Sequence, residues 1–175
     1  MHYKIVVGLG NPDKKYEKTY HNAGFLAIDF LTKNNSEKWQ TASSKDFEYL
    51  KTNGLVFAKT LVYMNESGKA LKSIIKYFKA DPKDLLIVHD DSDIVLGNYK
   101  LSNNRGAAGH HGIESVQQHI KNNDFGRLRI GIRPMPKTDT ARRVKAEEFV
   151  LKKISRPSMA ILEKTFQNIS KELFS

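Results

Sequence analysis

Short apolar runs alternate along the chain with longer segments of helical periodicity, and this alternation limits the folds open to it. The runs YKIVVGL at 3–9 and DLLIVHDD at 84–91 are typical of strands buried in a sheet. Between them, the segment 66–80 places apolar side chains at i, i+3, i+4 and i+7, which predicts a helix with one buried face. Strands that alternate with helices in this way predict an α/β fold with parallel strands.

Turn and cap residues indicate the other elements. Asn53-Gly54 separates two strand-like runs and is the strongest short signal for a hairpin, which makes the predicted sheet mixed. The run RLRIGIR at 127–133 alternates apolar side chains with arginines on the opposite face. Helices are predicted after Asn22, which is available as an N-cap, after the motif GHHG, and near the C-terminus. We therefore predict a single domain over 1–175, an α/β fold with a mixed, mostly parallel twisted sheet flanked by helices.

The composition excludes several classes of protein. With 175 residues the chain is long enough for a hydrophobic core without metal or disulfide support. The absence of cysteine excludes a disulfide framework and a thiolate metal site. No apolar stretch is long enough to span a bilayer, and the chain enters its first strand without the pattern of a signal peptide. We therefore expect a cytoplasmic protein.

Positive charge is concentrated in one third of the chain. The formal net charge is +10. The segment 96–156 holds 13 Lys and Arg against 5 Asp and Glu, a net of +8, which leaves +2 for the remainder. An excess confined in this way favours a polyanionic partner, and nucleic acid ranks ahead of an anionic membrane because no strongly amphipathic basic helix is present. A solvated, solubilising surface is the alternative.

The loop GLGNPDKKYEKTYHNAG at 8–24 follows the first strand and raises the question of a nucleotide site. Gly8 and Gly10 fit the first two positions of G-x-G-x-x-G, but the third falls on Asp13, and Pro12 removes a backbone N–H. No G-K-[ST] follows, so a P-loop is excluded as well. The polar residues of this loop need another role.

Four stretches at predicted strand ends carry the groups that could perform chemistry: GNPDKKYEKTYHNAG, VYMNESG, VHDDSDIVLG and NNRGAAGHHGIES. In open α/β sheets, active residues gather at such ends. The chain lacks G-x-S-x-G and cysteine, so direct attack by water is favoured. A histidine–carboxylate pair with amide donors and an oxygen-rich metal site built on HDDSD with His89 both remain open. The candidate residues are Asn11, His21, Asn65, His89, Asp90, Asp91, Asp93, His110 and His111.

Several motifs also follow one another in a fixed order. They are VGLGNP with HNAG, then MNESGKAL, VHDDSDIVLG, GHHGIESV and FGRLRIGI. Taken together, they resemble bacterial-type peptidyl-tRNA hydrolase over nearly the whole chain. Similar proteins are monomeric, metal-free α/β enzymes that hydrolyse the ester joining a nascent peptide to the tRNA ribose. The resemblance implies this activity, a peptidyl-tRNA partner, no cofactor and no metal.

The resemblance assigns catalytic roles to residues at matching positions. His21 would be the general base, and Asp90 would be the carboxylate that orients it. Asn65 would hold the attacking water or the developing oxyanion, and Asn11 would lie near the scissile ester.

The resemblance also implies a substrate surface. Tyr16 and Met64 would line the groove for the peptide and the terminal adenosine, and Lys100 and Arg129 would contact tRNA phosphate. Taken singly, Met64 could be simple core and Arg129 a solvated strand face.

The chain departs from the family pattern at several positions. His111 stands in GHHG where the family has an asparagine that binds substrate, and we predict that the imidazole takes over this task. Ser102 replaces a lysine that binds phosphate, and Arg105 is close enough in sequence to compensate. These departures keep open a second function, that of a catalytically weakened relative that binds RNA. A metal-dependent phosphoesterase built on HDDSD is a more distant alternative.

Overall fold

The structure is a computed structural model and describes residues 3–52, 54–103, 106–120, 123–135 and 145–174. Within these residues, seven strands form one sheet and four α-helices flank it. The strands are β1 (Ile5–Gly8), β2 (Gln40–Thr41), β3 (Phe47–Thr52), β4 (Leu55–Thr60), β5 (Leu85–Val95), β6 (Tyr99–Asn103) and β7 (Gly126–Arg133). The helices are α1 (Ala23–Thr32), α2 (Ser67–Phe78), α3 (His111–His119) and α4 (Arg156–Leu173).

The sheet has the strand order β2-β3-β4-β1-β5-β7-β6. Its four central strands, β4, β1, β5 and β7, are parallel, whereas β2, β3 and β6 pair antiparallel at the two edges. The predicted α/β fold with a mixed sheet is therefore confirmed, and its parallel part is the centre. The carboxyl ends of the parallel strands meet at one edge of the sheet, where the polar residues after β1, after β4 and in the second half of β5 lie. The fourth polar motif follows the antiparallel strand β6, so it begins at the opposite edge.

Helices cover both faces of the sheet. Successive residues of a strand point to opposite faces, so Val7 and Ile87 belong to one core, and Val6 and Val88 belong to the other. This is why β1 and the first half of β5 are apolar without alternation. Helices α2 and α3 close the first core, and α1 and α4 close the second. The helical residues involved are Leu71, Ile74, Ile113 and Val116 on one face and Ala27, Ile28, Leu162, Phe166 and Ile169 on the other.

None of the helices in the described part of the chain combines the length and the apolar character that a membrane crossing requires.

Strand β7 contradicts the alternative interpretation of Arg129 as a residue on a solvated strand face. Its arginines do not form a solvated face, because Arg127 and Arg129 are only 2% and 8% exposed. The Nε of Arg127 donates to Nε2 of His89 at 3.1 Å, and the Nε of Arg129 donates to a carboxylate oxygen of Asp91 at 2.7 Å. Apolar residues and arginines do alternate along β7, but both faces of the strand are buried. Each buried guanidinium has a polar partner that offsets its loss of water.

The hairpin predicted from Asn53-Gly54 is confirmed, whereas the predicted N-cap at Asn22 is wrong. Strands β3 and β4 form the predicted antiparallel hairpin, and Gly54 has a φ of 80° that suits glycine. Asn53 lies outside the described residues. Asn22 stands at the N-cap position of α1, but its side chain makes no cap hydrogen bond. Its amide instead accepts from the backbone N–H of Asn11 at 2.9 Å and donates to the Asn11 carbonyl at 3.0 Å.

Gly24 lets α1 approach the sheet, since an added Cβ would lie 2.4 Å from the Val88 carbonyl oxygen and 2.5 Å from that of Leu9. We expect Gly24→Ala to lower the free energy of unfolding by about 1–3 kcal/mol, because two backbone atoms would have to move. The matched control is Gly106→Ala, where no described atom lies within 4 Å of the added Cβ. There we expect a change below about 0.5 kcal/mol. Urea unfolding measures both, and equal losses would contradict the prediction.

Candidate active site

His21 and Asp90 form a buried pair at the carboxyl edge of the sheet. His21 lies in the 3-10 turn Tyr20–Asn22 that leads into α1, and its backbone N–H is held by the Val150 carbonyl at 2.8 Å. Its Nδ1 lies 2.9 and 3.0 Å from the two carboxylate oxygens of Asp90. A carboxylate only accepts hydrogen bonds, so Nδ1 carries the hydrogen and Nε2 keeps its lone pair. The Nε2 atom has no hydrogen-bond partner among the described residues.

The same contact fixes the charges of the pair. Burial lowers the pKa of His21, but the negative charge of Asp90 and the hydrogen bond to it act more strongly, so the pKa is raised above 6.5. Burial also raises the pKa of Asp90, and the imidazoles of His21 and His110 outweigh this effect, so the pKa lies well below its usual range. Asp90 is therefore charged at neutral pH, and it stabilises the protonated imidazole.

His110 is a third member of the cluster and was not assigned a role from the sequence. Its Nε2 lies 2.9 Å from Oδ1 of Asp90, and its Nδ1 accepts the backbone N–H of Ile113 at 3.3 Å as the N-cap of α3. The neighbouring His111, which was predicted to bind substrate, lies at the rim of the cavity that these residues line. Its side chain is 69% exposed, and its Nδ1 lies 3.1 Å from Glu114. The pair of histidines was visible in GHHG, but only the start of α3 decides which ring turns inward.

The other polar residues of HDDSD have separate partners. The Nδ1 of His89 donates to the Asp90 carbonyl at 2.6 Å, and its Nε2 accepts from Arg127. Burial, the neighbouring His110 and the charge of Arg127 together hold the pKa of His89 well below 6.5, so its ring is neutral. Asp91 pairs with Arg129 and also accepts the backbone N–H of Asp93 at 2.8 Å. The side chains of HDDSD therefore bond to separate partners and do not form a common metal site.

The two asparagines predicted to contact the ester are linked through the backbone. Asn11 is 7% exposed, and its Oδ1 accepts the N–H of Met64 at 2.9 Å. Met64 begins the 3-10 turn Met64–Glu66, in which the side chain of Asn65 is exposed. The Nδ2 of Asn11 has no hydrogen-bond partner in the described part of the chain. Asn11 thus holds the turn that carries Asn65 and keeps one amide donor available.

The residues predicted to bind substrate differ in how far they are exposed to solvent. Tyr16 is half-buried, and Lys100 is exposed on β6. Met64 is buried in the core with α2 and α3, which agrees with the simpler reading of this residue. Arg129 was predicted to contact phosphate, and its guanidinium is buried and paired with Asp91, which leaves little surface for such a contact. Arg105 lies outside the described residues.

A cavity of about 550 Å³ opens beside the pair. One wall comes from His21 and the end of β5, and the loop before α3 forms a second wall. The segment 145–150 closes a third side through Lys145, Glu147 and Val150, and nothing in the sequence had marked it as part of the site. A base with an available Nε2 thus faces a space large enough for a substrate group.

Comparison with known proteins agrees with the order of the motifs. A family model described as peptidyl-tRNA hydrolase matches residues 5–174. The chain belongs to the peptidyl-tRNA hydrolase family. The peptidyl-tRNA hydrolase of Mycoplasma capricolum is 39% identical over 170 residues, which cover 95% of this chain and 89% of the relative. That of Aquifex aeolicus is 36% identical over 176 residues, with 95% and 92% covered.

A solved structure of the family matches the fold. The crystal structure of peptidyl-tRNA hydrolase from Acinetobacter baumannii superposes with a TM-score of 0.83 at 28% identity, and the match covers 95% of this chain and 84% of that one.

This family member has one cluster, among its described residues, whose atoms are close enough to hold a metal ion. The ligand atoms of His21, Asp90 and His110 lie within 4.8 Å of one another. A metal would need the lone pairs of the ring nitrogens, whereas Nδ1 of His21 and Nε2 of His110 both face the Asp90 carboxylate and carry hydrogens. The donor set therefore fits a hydrogen-bonded base better than a metal site.

The charge of Asp90 should control the protonation of His21 in this family member. We expect Asp90→Asn to lower the pKa of His21 below 6.5, because the two interactions that raise it are lost or weakened while burial remains. The measurement is an NMR titration of the His21 ring. The matched control is Glu147→Gln, which removes an exposed carboxylate from the same cavity and should move the pKa little because exposed charges are screened. An unchanged pKa in Asp90→Asn would contradict the assignment.

Proposed function

We propose that this protein hydrolyses the ester bond between peptide and tRNA ribose in peptidyl-tRNA, by attack of water with His21 as general base. The observation that carries the proposal is the His21–Asp90 pair, whose Nδ1 is fixed at 2.9 Å from the carboxylate and whose Nε2 is available beside the cavity. The family membership supplies the substrate, since its relatives are named for this activity.

The chemistry follows from the fixed tautomer. Nε2 accepts a proton from water as the oxygen attacks the ester carbonyl carbon, and Asp90 stabilises the imidazolium that forms. When the tetrahedral intermediate collapses, the bond to the ribose oxygen breaks, and the imidazolium returns its proton to that oxygen. The products are a peptide carboxylic acid, which then releases its proton to solvent, and a tRNA with a free ribose hydroxyl, and His21 is again neutral.

Amide donors would stabilise the oxyanion of the intermediate. Asn11 has an Nδ2 without a partner among the described residues, and the backbone of the same residue is held on both sides by Asn22, which follows His21 directly. Asn65 is exposed in the adjacent turn. We assign both asparagines to the water or the oxyanion, because a pre-oriented donor acts where charge develops.

The tRNA would contact the basic surface near the cavity. Lys100 is exposed on the edge strand β6, and Lys145 lines the cavity itself. Tyr16 would face the peptide or the terminal adenosine. His111 stands at the rim of the cavity, where it could contact substrate but not His21.

The proposal also includes the domain organisation, the oligomeric state and the location of the protein. A single sheet runs through the described elements, which supports one domain over the chain. A monomer that acts in the cytoplasm fits a protein whose substrate is a tRNA. Catalysis needs a His21 ring whose tautomer is fixed by Asp90, whereas RNA binding does not. We therefore favour the enzyme over the RNA-binding alternative.

Removal of the base should abolish most of the activity. We expect His21→Ala to lower kcat/KM for peptidyl-tRNA by about 10²- to 10⁴-fold, the range of general base catalysis. For the native protein, activity should fall on the acid side with an apparent pKa above 6.5, because the base must be neutral and the pKa of His21 is raised. Turnover of peptidyl-tRNA across pH measures both effects.

The control for this loss is His119→Ala, which removes an exposed imidazole from the end of α3 and should leave kcat/KM unchanged. A chelator should also leave native turnover unchanged. Near-normal turnover by His21→Ala would overturn the mechanism, and tRNA binding without any turnover by the native protein would favour the RNA-binding alternative.

Lys100 should contribute to tRNA binding and not to chemistry. We expect Lys100→Ala to weaken tRNA binding and to reduce the salt slope of log affinity by about 0.7–0.9 if one phosphate contact is lost. Cleavage of a minimal peptidyl-adenosine ester should be unaffected. Lys51→Ala is the matched control, because Lys51 is exposed on β3 near the opposite edge of the sheet. Identical salt slopes for the native protein and Lys100→Ala would show that Lys100 is only solvated surface.

A further inference from the structure

One carboxylate oxygen serves two histidines. Oδ1 of Asp90 lies 2.9 Å from Nδ1 of His21 and 2.9 Å from Nε2 of His110. The two ring centroids are 5.0 Å apart. The carboxylate that orients the general base of the proposed reaction therefore also accepts a hydrogen bond from His110.

The start of α3 determines the tautomer of His110. Its Nδ1 accepts the backbone N–H of Ile113, so this nitrogen carries the lone pair. A neutral imidazole has its single hydrogen on the other nitrogen, and Nε2 must donate to Asp90. Protonation of His110 would put a second hydrogen on Nδ1 and break the cap. The cap thus favours a neutral ring that donates to the carboxylate.

We propose that His110 is a positioning residue that occupies part of the Asp90 carboxylate and thereby limits how tightly this carboxylate holds the protonated form of His21. A hydrogen bond to a carboxylate spreads its negative charge toward the donor, so less of that charge acts on a second partner. Without the His110 donor, Asp90 would stabilise the imidazolium of His21 more strongly. His110 would then keep a larger share of His21 in the neutral form that can accept a proton near neutral pH.

The other charged groups around the cluster do not supply this effect. Asp91 is neutralised by Arg129, and the neutral ring of His89 separates Arg127 from His110, with the two imidazole centroids 4.7 Å apart. Lys145 and Glu147 line the facing wall of the cavity, and Asp93 lies near the end of β5. His111 contacts Glu114 on its own helix. Among the described residues, the charged or titratable groups that line this cavity or contact the cluster and its neighbours are Asp90, His89, Arg127, Asp91, Arg129, Asp93, Lys145, Glu147, His111 and Glu114.

Two variants separate the two contacts of His110. Asparagine places its amide near the position of Nδ1, so His110→Asn can keep the cap of α3 but cannot reach Asp90. Glutamine places its amide near the position of Nε2, so His110→Gln can keep the donor to Asp90 but loses the cap. We expect the pKa of His21 to rise by about 0.5–1 unit in His110→Asn and to stay near its native value in His110→Gln.

The readout is an NMR titration of the His21 ring, with the pH profile of kcat/KM beside it. In His110→Asn the acid limb of the profile should move to higher pH by the same amount, while the plateau at high pH is retained. In His110→Gln the acid limb should stay in place and the urea midpoint of unfolding should fall, because the cap is lost. If His110 served only as the cap, the urea midpoint would fall in His110→Gln and the pKa of His21 would keep its native value in both variants, and this result would overturn the proposal.

The native protein provides a test that does not depend on variants folding. The ¹⁵N shifts of His110 should show a neutral ring with its hydrogen on Nε2 over the pH range in which His21 titrates. A hydrogen on Nδ1, or titration of His110 together with His21, would overturn the proposal.

The inference rests on the proposed role of His21, but the two can fail separately. The NMR readouts report the hydrogen bonds of Asp90 and need no turnover. Retained activity in His21→Ala would therefore remove the mechanism, whereas an unmoved His21 pKa in His110→Asn would remove only the role of His110.

Discussion

The carboxylate of Asp90 is 2% exposed and has to remain charged for His21 to be held in its proton-accepting form. A buried charge costs several kcal/mol unless hydrogen bonds replace its water. Here the replacements are two imidazole N–H groups, one from the turn that leads into α1 and one from the cap of α3. These helices lie on opposite faces of the sheet, so the charged site depends on both layers being docked against β5.

The buried arginines of β7 have a related function. Arg129 takes Asp91 as its partner, and Arg127 holds the ring of His89, which packs against His110. The acidic run in the second half of β5 is thereby divided among separate partners, and Asp90 is the member that pairs with the imidazoles of His21 and His110. A motif that could have been an oxygen-rich metal site becomes instead a single base with an orienting carboxylate, because each neighbouring group is already bonded.

Local patterns in the sequence predicted much of this arrangement. The apolar runs and the helical periodicity indicated the elements, and the pairing of His21 with Asp90 was implied by the resemblance to the family. The errors have a common cause. Asn22 had the right position for a cap, but its amide is used by the backbone of Asn11. Arg129 alternated like a surface residue, but its strand is buried and its guanidinium pairs with Asp91 of β5. In each case a partner distant in sequence displaced the role that the local pattern favoured.

The sequence by itself determined the secondary structure, the α/β class and the family, because these depend on periodicity and on ordered motifs that can be read along one chain. Only the tertiary structure decided which of two adjacent histidines is bonded to Asp90. His110 and His111 are equivalent in GHHG, and they differ because α3 begins between them: the cap residue turns its ring toward Asp90, while the first helical residue points to solvent beside Glu114. The distance between α3 and β5 fixes that choice, and no spacing along the chain encodes it.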